Sequence, residues 1–294
     1  MITFFQAIVL GLLQGVTELF PISSLGHTVV IPWLFGWNSI VTSQSQAESY
    51  FLSFVVILHV ATATALLIFY RRTWVRIVKA FFRSLKVRRV ESSDGKLAWL
   101  LLAATIPAGI TGLVFEHILR TTFAKPLSAI IFLFINGIIL IVGDRYQKRA
   151  ARPSGQMSVT SENVSHKLTL KRSGVIGAAQ VGALFAGISR SGITMVSGLM
   201  SGLNHEDAAR FSFLLATPII LGAGLYKIPD FFSNVDHGVR GQILAGGVVA
   251  GIAAYFTVRY LDRYFHDKTL RPFGIYCILA SVVLFLLGIA RGHF

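Results

Sequence analysis

The chain has 294 residues, of which 54% are hydrophobic and only 14% charged, and it carries a formal net charge of +14. Apolar blocks consume almost all of it, each long enough to cross a hydrocarbon core, which takes about 20 helical residues; a soluble globular fold and a separate soluble domain are both excluded. The lone Cys277 cannot form an internal disulfide and sits in an apolar run as packing material.

From the N-terminus, residues 3–37 are apolar but break at Pro21, Ser23, Ser24 and Gly26, residue types that end a helix. The segment is predicted to be a re-entrant hairpin of two half-helices. No basic residue precedes its apolar start and no small-residue cleavage pattern follows, so it reads as a retained segment and not a signal peptide. A full span over residues 50–70 leads to loop 71–96, which holds nine of the 27 Lys and Arg residues. Spans at 97–115 and 126–143 lead to a second basic loop, 144–172, with seven more. Residues 173–204 then break at Gly187, Ser189, Arg190, Ser191 and Gly192, giving the second predicted hairpin. Spans at 208–226, 241–258 and 272–290 complete the chain, with four basic residues in loop 259–271.

The predicted fold class is therefore an all-α integral membrane protein with six full transmembrane helices and two re-entrant helical hairpins. Irregular backbone at membrane depth is tolerated only when buried in protein or facing a wet cavity, so the two hairpin tips should meet inside the bundle. If the first hairpin enters from the outer side and the second from the inner, all three basic loops fall inside, as the positive-inside rule requires, and both termini lie outside. The positive charge is thus a topology signal with some attraction to anionic lipid, and not a nucleic-acid surface.

The two breaks are also related to each other. At an offset of 166 residues, Gln14, Ile22, Ser23, Gly26 and Thr28 align with Gln180, Ile188, Ser189, Gly192 and Thr194, and Ser53-Phe54 roughly matches Ser212-Phe213. We read one polytopic membrane domain, 1–294, as an inverted-topology repeat, with repeat 1 over about 1–143, repeat 2 over about 173–294, and the basic cytoplasmic loop 144–172 between them. Interrupted apolar segments in corresponding places of two halves point to a binding site between them.

An ionisable residue at membrane depth is a functional hypothesis by default, and Glu18, His27 and Arg190 fall on the hairpins. Gln14 and Glu18 are four apart and share a helix face, whereas Ser24 and His27, three apart, come within mutual reach. Arg190, with Ser189, Ser191 and Thr194 around Gly187 and Gly192, makes a donor set suited to phosphate: a planar guanidinium fork, neutral hydroxyls and approachable backbone N–H groups. His59, in a span, and His117, near a span end, read as satisfied polar residues, and His205, Glu206 and Asp207 as a helix start.

With these motifs the chain resembles the bacterial undecaprenyl-diphosphate phosphatases of the BacA/UppP type, membrane enzymes linked to bacitracin resistance. Gln14, Glu18, Pro21, Ser23, Ser24, Gly26 and His27 match one family motif over most of its positions, and Gly187, Ser189, Arg190, Ser191, Gly192 and Thr194 match the other. Gln14 stands where Glu is the alternative, and Ala186 replaces a Pro. The resemblance implies a hydrolase of the bacterial cytoplasmic membrane that converts undecaprenyl diphosphate to the monophosphate and inorganic phosphate, recycling the lipid carrier of peptidoglycan synthesis. It further implies that Arg190 holds the terminal phosphate, with Ser23, Gly26, Ser189, Ser191, Gly192 and Thr194 as donors. Glu18, with Gln14, would hold Mg²⁺, or Ca²⁺ as the alternative, or else Glu18 would orient the attacking group. Two routes of attack stay open: Ser24 activated by His27, or His27 directly. The expected partner is a polyprenyl diphosphate lipid in an outward-facing site, and self-association is compatible with all of this. The rival reading is a lipid-phosphate transporter or flippase that performs no hydrolysis.

Overall fold

A computed structural model describes residues 2–44, 50–123, 125–150, 161–234 and 237–292; the expectation for the 144–172 loop falls partly outside them. The described residues are helical with no strand. In order they form α1 (Phe4–Thr17), α2 (Ser24–Leu34), α3 (Asn38–Gln44), α4 (Tyr50–Phe69), α5 (Arg71–Val87), α6 (Ser93–Phe123), α7 (Pro126–Ala150), α8 (Ser161–Lys167), α9 (Leu170–Ala179), a 3₁₀ turn (Gln180–Leu184), α10 (Arg190–Met200), α11 (His205–Asn234), α12 (His237–Asp267) and α13 (Arg271–Ala290). Six of these, α4, α6, α7, α11, α12 and α13, are long and apolar enough to cross a membrane, as predicted.

Two predicted loops are largely helical: α5 fills most of residues 71–96, and α12 continues to Asp267 through most of residues 259–271. In the first of these, basic residues that by density suggest a connection recur along a helix that packs Ile77, Trp74 and Phe81 against the core.

Hydrogen bonds at the helix ends bring the basic segments to a single end of the bundle. Tyr70, after α4, donates to Asp262 of α12 at 2.8 Å, and Arg210 of α11 lies over the Tyr70 ring. His205 Nε2, at the start of α11, sits 2.9 Å from Asp144 Oδ1 of α7, which also accepts from the backbone N–H of Leu270 just before α13. Lys167 of α8 reaches Asp207 of α11 at the same end.

The interrupted segments run in from opposite ends against full-length helices. Helix α1 opens with a capping box between Thr3 and Gln6 and lies along α12, where a Cβ at Gly11 would come 2.3 Å from the carbonyl oxygen of Gly246. Helix α9 lies along α6, and Ser173 Oγ donates to the Leu100 carbonyl. Small residues permit both close approaches, the usual device where no hydrophobic driving force separates helix from lipid. At about 1.5 Å per residue neither α1 nor α9 is long enough to cross a core of about 30 Å.

Candidate active site

Where the two interrupted segments stop, their breaks face each other. Ser23 has φ of 70°, in the left-handed region, and caps α2 by accepting from the Gly26 N–H at 3.2 Å. Its Oγ also accepts from the backbone N–H of Gly187 at 3.1 Å, which ties one break to the other. Gly187 needs to be glycine twice over: its φ is 112°, and a Cβ would lie 2.4 Å from the Ala129 carbonyl oxygen. Ser189 repeats the capping on α10, accepting from the Gly192 N–H at 3.1 Å. The first helical residues of α2 and α10 are Ser24 and Arg190, so the two N-terminal dipole ends present these side chains.

Asn136 of α7, fully buried, completes the junction: its Nδ2 donates to the Pro21 carbonyl at 3.0 Å and its Oδ1 accepts from the Ser189 N–H at 3.0 Å. Each break leaves backbone groups without helical partners, and one amide side chain satisfies a group on each side.

Glu18 is the hub. Its carboxylate is 6% exposed and receives four donors. Arg190 Nη2 donates to Oε1 at 3.1 Å; Ser24 Oγ donates to Oε2 at 2.5 Å, and Gln14 Nε2 to the same oxygen at 3.2 Å. The fourth is His59 of α4, whose Nε2 lies 3.3 Å from Oε2. The other His59 nitrogen, Nδ1, is 2.8 Å from the Val55 carbonyl, an obligate acceptor. Both ring nitrogens thus face acceptors, and the ring satisfies them together only when both carry hydrogen. The guanidinium on one carboxylate oxygen and the Ser24, Gln14 and His59 groups on the other make the centre rich in hydrogen-bond donors.

These residues close the polar end of a cavity of about 670 Å³ whose remaining walls are almost wholly apolar. Glu18, Ser23, Ser24, His59, Ser189 and Arg190 face it. Arg190 Nε and Gln180 Oε1 are buried and have no hydrogen-bond partner among the described residues. A guanidinium that spends one nitrogen on Glu18 and another, at 3.3 Å, on the Ser212 carbonyl still has N–H groups left for a ligand.

Other predicted site residues stand behind this surface. Ser191 Oγ turns to the Phe20 carbonyl at 3.3 Å, and Thr194 Oγ1 to the Arg190 carbonyl at 2.8 Å and Ser212 Oγ at 2.7 Å. Gly26 and Gly192 donate to the capping serines. These four hold the loops in shape, and their donors are taken.

The expected Ser24–His27 pairing also gives way to another arrangement. Ser24 donates to Glu18, whereas the His27 ring places Nδ1 2.7 Å from the Ser23 carbonyl and Nε2 2.8 Å from the Tyr276 hydroxyl. A carbonyl can only accept, so Nδ1 carries hydrogen, and in the neutral ring Nε2 accepts from Tyr276. The spacing of three brought the two side chains to one helix, but α1 supplied Ser24 with a stronger acceptor.

Gln14 and Glu18, expected to hold a divalent cation, fit one poorly. Gln14 turns its amide nitrogen, not its oxygen, to the carboxylate, and donors occupy both Glu18 oxygens. Among the described residues no cluster of three or more His, Cys, Asp or Glu exists to make a metal cage.

His59, Asn136 and Tyr276 were missed at the sequence level. From sequence His59 reads only as a satisfied polar residue within a span, although an ionisable group there is a signal; Asn136 and Tyr276 carry no local signal.

A helical membrane protein with a buried carboxylate–guanidinium–hydroxyl centre at the end of an apolar cavity is thereby defined, one suited to an amphiphilic anion. Residues 7–283 match the family of the bacitracin resistance protein BacA, and the chain belongs to that family. The undecaprenyl-diphosphatase of Mycolicibacterium paratuberculosis is 50% identical over 292 residues, with 95% of each chain covered. The undecaprenyl-diphosphatase 2 of Frankia alni is 47% identical over 332 residues, covering 96% of this chain and 97% of the relative. The family match includes every site residue from Gln14 to Tyr276.

Proposed function

We propose that this chain is an undecaprenyl-diphosphate phosphatase, an integral membrane hydrolase that releases inorganic phosphate from the lipid diphosphate and leaves the monophosphate carrier for cell-wall synthesis. The observation that carries the reading is the 2.5 Å hydrogen bond from Ser24 Oγ to Glu18 Oε2, at the polar end of a cavity with apolar walls. The diphosphate occupies the polar end beside Arg190 and Ser189, and the polyprenyl tail lies along the apolar walls.

In the proposed reaction Ser24 Oγ attacks the terminal phosphorus while its proton passes to Glu18. The bond from that phosphorus to the bridging oxygen breaks, and the lipid monophosphate departs. Water then attacks the phosphoserine, releasing inorganic phosphate and returning the proton to Ser24. Arg190 and the N-terminal ends of α2 and α10 stabilise the charge that builds on the equatorial oxygens, the term that dominates phosphoryl transfer. His59 and Gln14 hold the Glu18 carboxylate toward Ser24. His27 acts through Ser23, whose backbone it fixes. Because the donor set suits a metal ion poorly, no step is routed through one; Mg²⁺ usually enters such sites on the substrate's own phosphates.

The interrupted segments are read as re-entrant hairpins of an inverted repeat, in the cytoplasmic membrane of a bacterium, with both termini on the outer face. The cavity opens to the same face. Phe51, Leu113, Tyr226 and Lys227 line it, and each lies at the helix end remote from the basic segments.

The test is purified protein in detergent, with no membrane to cross, given a polyprenyl diphosphate. Phosphate release together with acid-stable phosphoserine at residue 24 supports the reading. Lipid relocation in vesicles without phosphate release in detergent refutes it.

A further inference from the structure

Helix α5 (Arg71–Val87) plays no part in the site, yet its faces are sharply sorted. At about 100° per residue, Thr73, Ile77 and Ser84 share one side and are buried against the bundle. Trp74 and Phe81 come next around the helix and pack on the edge of the same core. The apolar arc does not stop there. Val75, Val78, Phe82 and Leu85 continue it, and they are between 45% and 63% exposed. The next arc holds Arg72, Arg76, Lys79, Arg83 and Lys86, beyond which lie only Val87 and Ala80, and Arg71 caps the N-terminal end of the exposed apolar stripe. Half of the apolar surface is therefore covered by protein, and half is open beside a predominantly basic side.

The direction of the helix limits what can cover the open half. Arg76 pairs with Asp94 at 3.3 Å, and Trp99 Nε1 donates to Ser84 Oγ at 3.0 Å. Arg83 also pairs with Glu91, just before α6, at 3.6 Å, so both ends of α5 meet only the beginning of α6. Helix α5 crosses the start of α6 instead of retracing it, and it begins one residue after α4 ends. It therefore runs across the end of the bundle, at the level where α4 leaves the hydrocarbon. On that same end the last turns of α12 and the residue after it present a shallow groove with Arg259, Arg263, Lys268 and one acid, Asp267, beside Tyr260 and Tyr264.

We infer that α5 lies in the headgroup layer as an interfacial helix bound to anionic glycerophospholipid. Val75, Val78, Phe82 and Leu85 enter the acyl boundary, and the basic arc meets lipid phosphates. An apolar stripe continuous with the protein core, edged by five basic residues of which Arg76 and Arg83 also pair with Asp94 and Glu91, matches an anionic lipid surface in both shape and sign. A second copy of the chain would instead bring basic arc against basic arc.

The full-length protein in nanodiscs of mixed phosphatidylglycerol and phosphatidylcholine supplies the test. Spin labels on Val78→Cys, Lys79→Cys, Phe82→Cys and Arg83→Cys are compared for collision with oxygen and with a water-soluble nickel chelate; the native Cys277 is buried. Oxygen should dominate at 78 and 82 and the chelate at 79 and 83. Equal chelate access at all four positions overturns the inference. So does strong dipolar broadening between copies labelled at 82, which would make the stripe a dimer contact. Independently, the Arg72→Gln/Lys79→Gln/Lys86→Gln variant should lose its preference for spin-labelled phosphatidylglycerol over phosphatidylcholine by about fivefold or more. An unchanged preference overturns the assignment of an anionic partner.

Discussion

Ser24 and Glu18, six residues apart on either side of a chain break, are joined by a 2.5 Å hydrogen bond that neither half-helix could make alone. The break at residues 21–23 turns the start of α2 back toward the end of α1, so that hydroxyl and carboxylate meet. Replacing Glu18 with Gln removes the proton acceptor but keeps the shape. Phosphate release should fall by about 10²–10⁴-fold, the usual contribution of a positioned base, and Ser24→Ala should fall at least as far. Initial rates in detergent measure both. Wild-type turnover by Ser24→Ala would remove it as nucleophile.

Arg190 reaches Glu18 with one nitrogen and still faces the cavity. Lysine keeps the charge but loses the planar fork. Arg190→Lys should lose about 10²–10³-fold in kcat, in line with the loss of one transition-state donor, with a smaller change in KM. A pure KM effect would show that Arg190 only binds the ground state.

For His59 the donor to Glu18 matters more than the ring. His59→Gln keeps an N–H that can point at Oε2, whereas His59→Ala leaves the carboxylate one donor short. The expected order of kcat is wild type, then Gln, then Ala, with Ala lower than wild type by about tenfold or more. Equal rates for Ala and wild type would make the 3.3 Å contact incidental.

His27 gives a different expectation. Its ring is spent on Ser23 and Tyr276, so His27→Ala should slow phosphate release while leaving phosphoserine formation detectable, and Tyr276→Phe should weaken it in the same direction. A phosphohistidine trapped in Ser24→Ala would reverse the assignment of the attacking group.

Asn136 serves both breaks at once. Asn136→Ala leaves the Ser189 N–H and the Pro21 carbonyl without this partner, and a buried unsatisfied group costs about 1–3 kcal/mol. The thermal midpoint of the detergent-solubilised protein should drop and activity should fall with it. An unchanged midpoint would mean that water or relaxation replaces the amide.

The amino-acid sequence alone determined the class, the six spans, the two interruptions and the residues at the breaks. Hydropathy and charge act over local stretches, and the bilayer converts them into topology with few alternatives. Glu18, Ser24 and Arg190 were legible because they sit inside motifs where Gly, Pro and Ser punctuate apolar sequence. Loop 71–96 was misread because high charge density resembles a connection until the side chains are placed around a helix. Which partners the motif residues choose was left to the tertiary structure. Local spacing offered Ser24 a histidine, but packing of α1 against α2 offered a carboxylate, the better acceptor for a hydroxyl in a buried site. His59 and Asn136 come from α4 and α7, distant in the chain, and nothing beside them announces a role. Only when long helices stack in three dimensions do such isolated polar groups meet the unsatisfied atoms they complete.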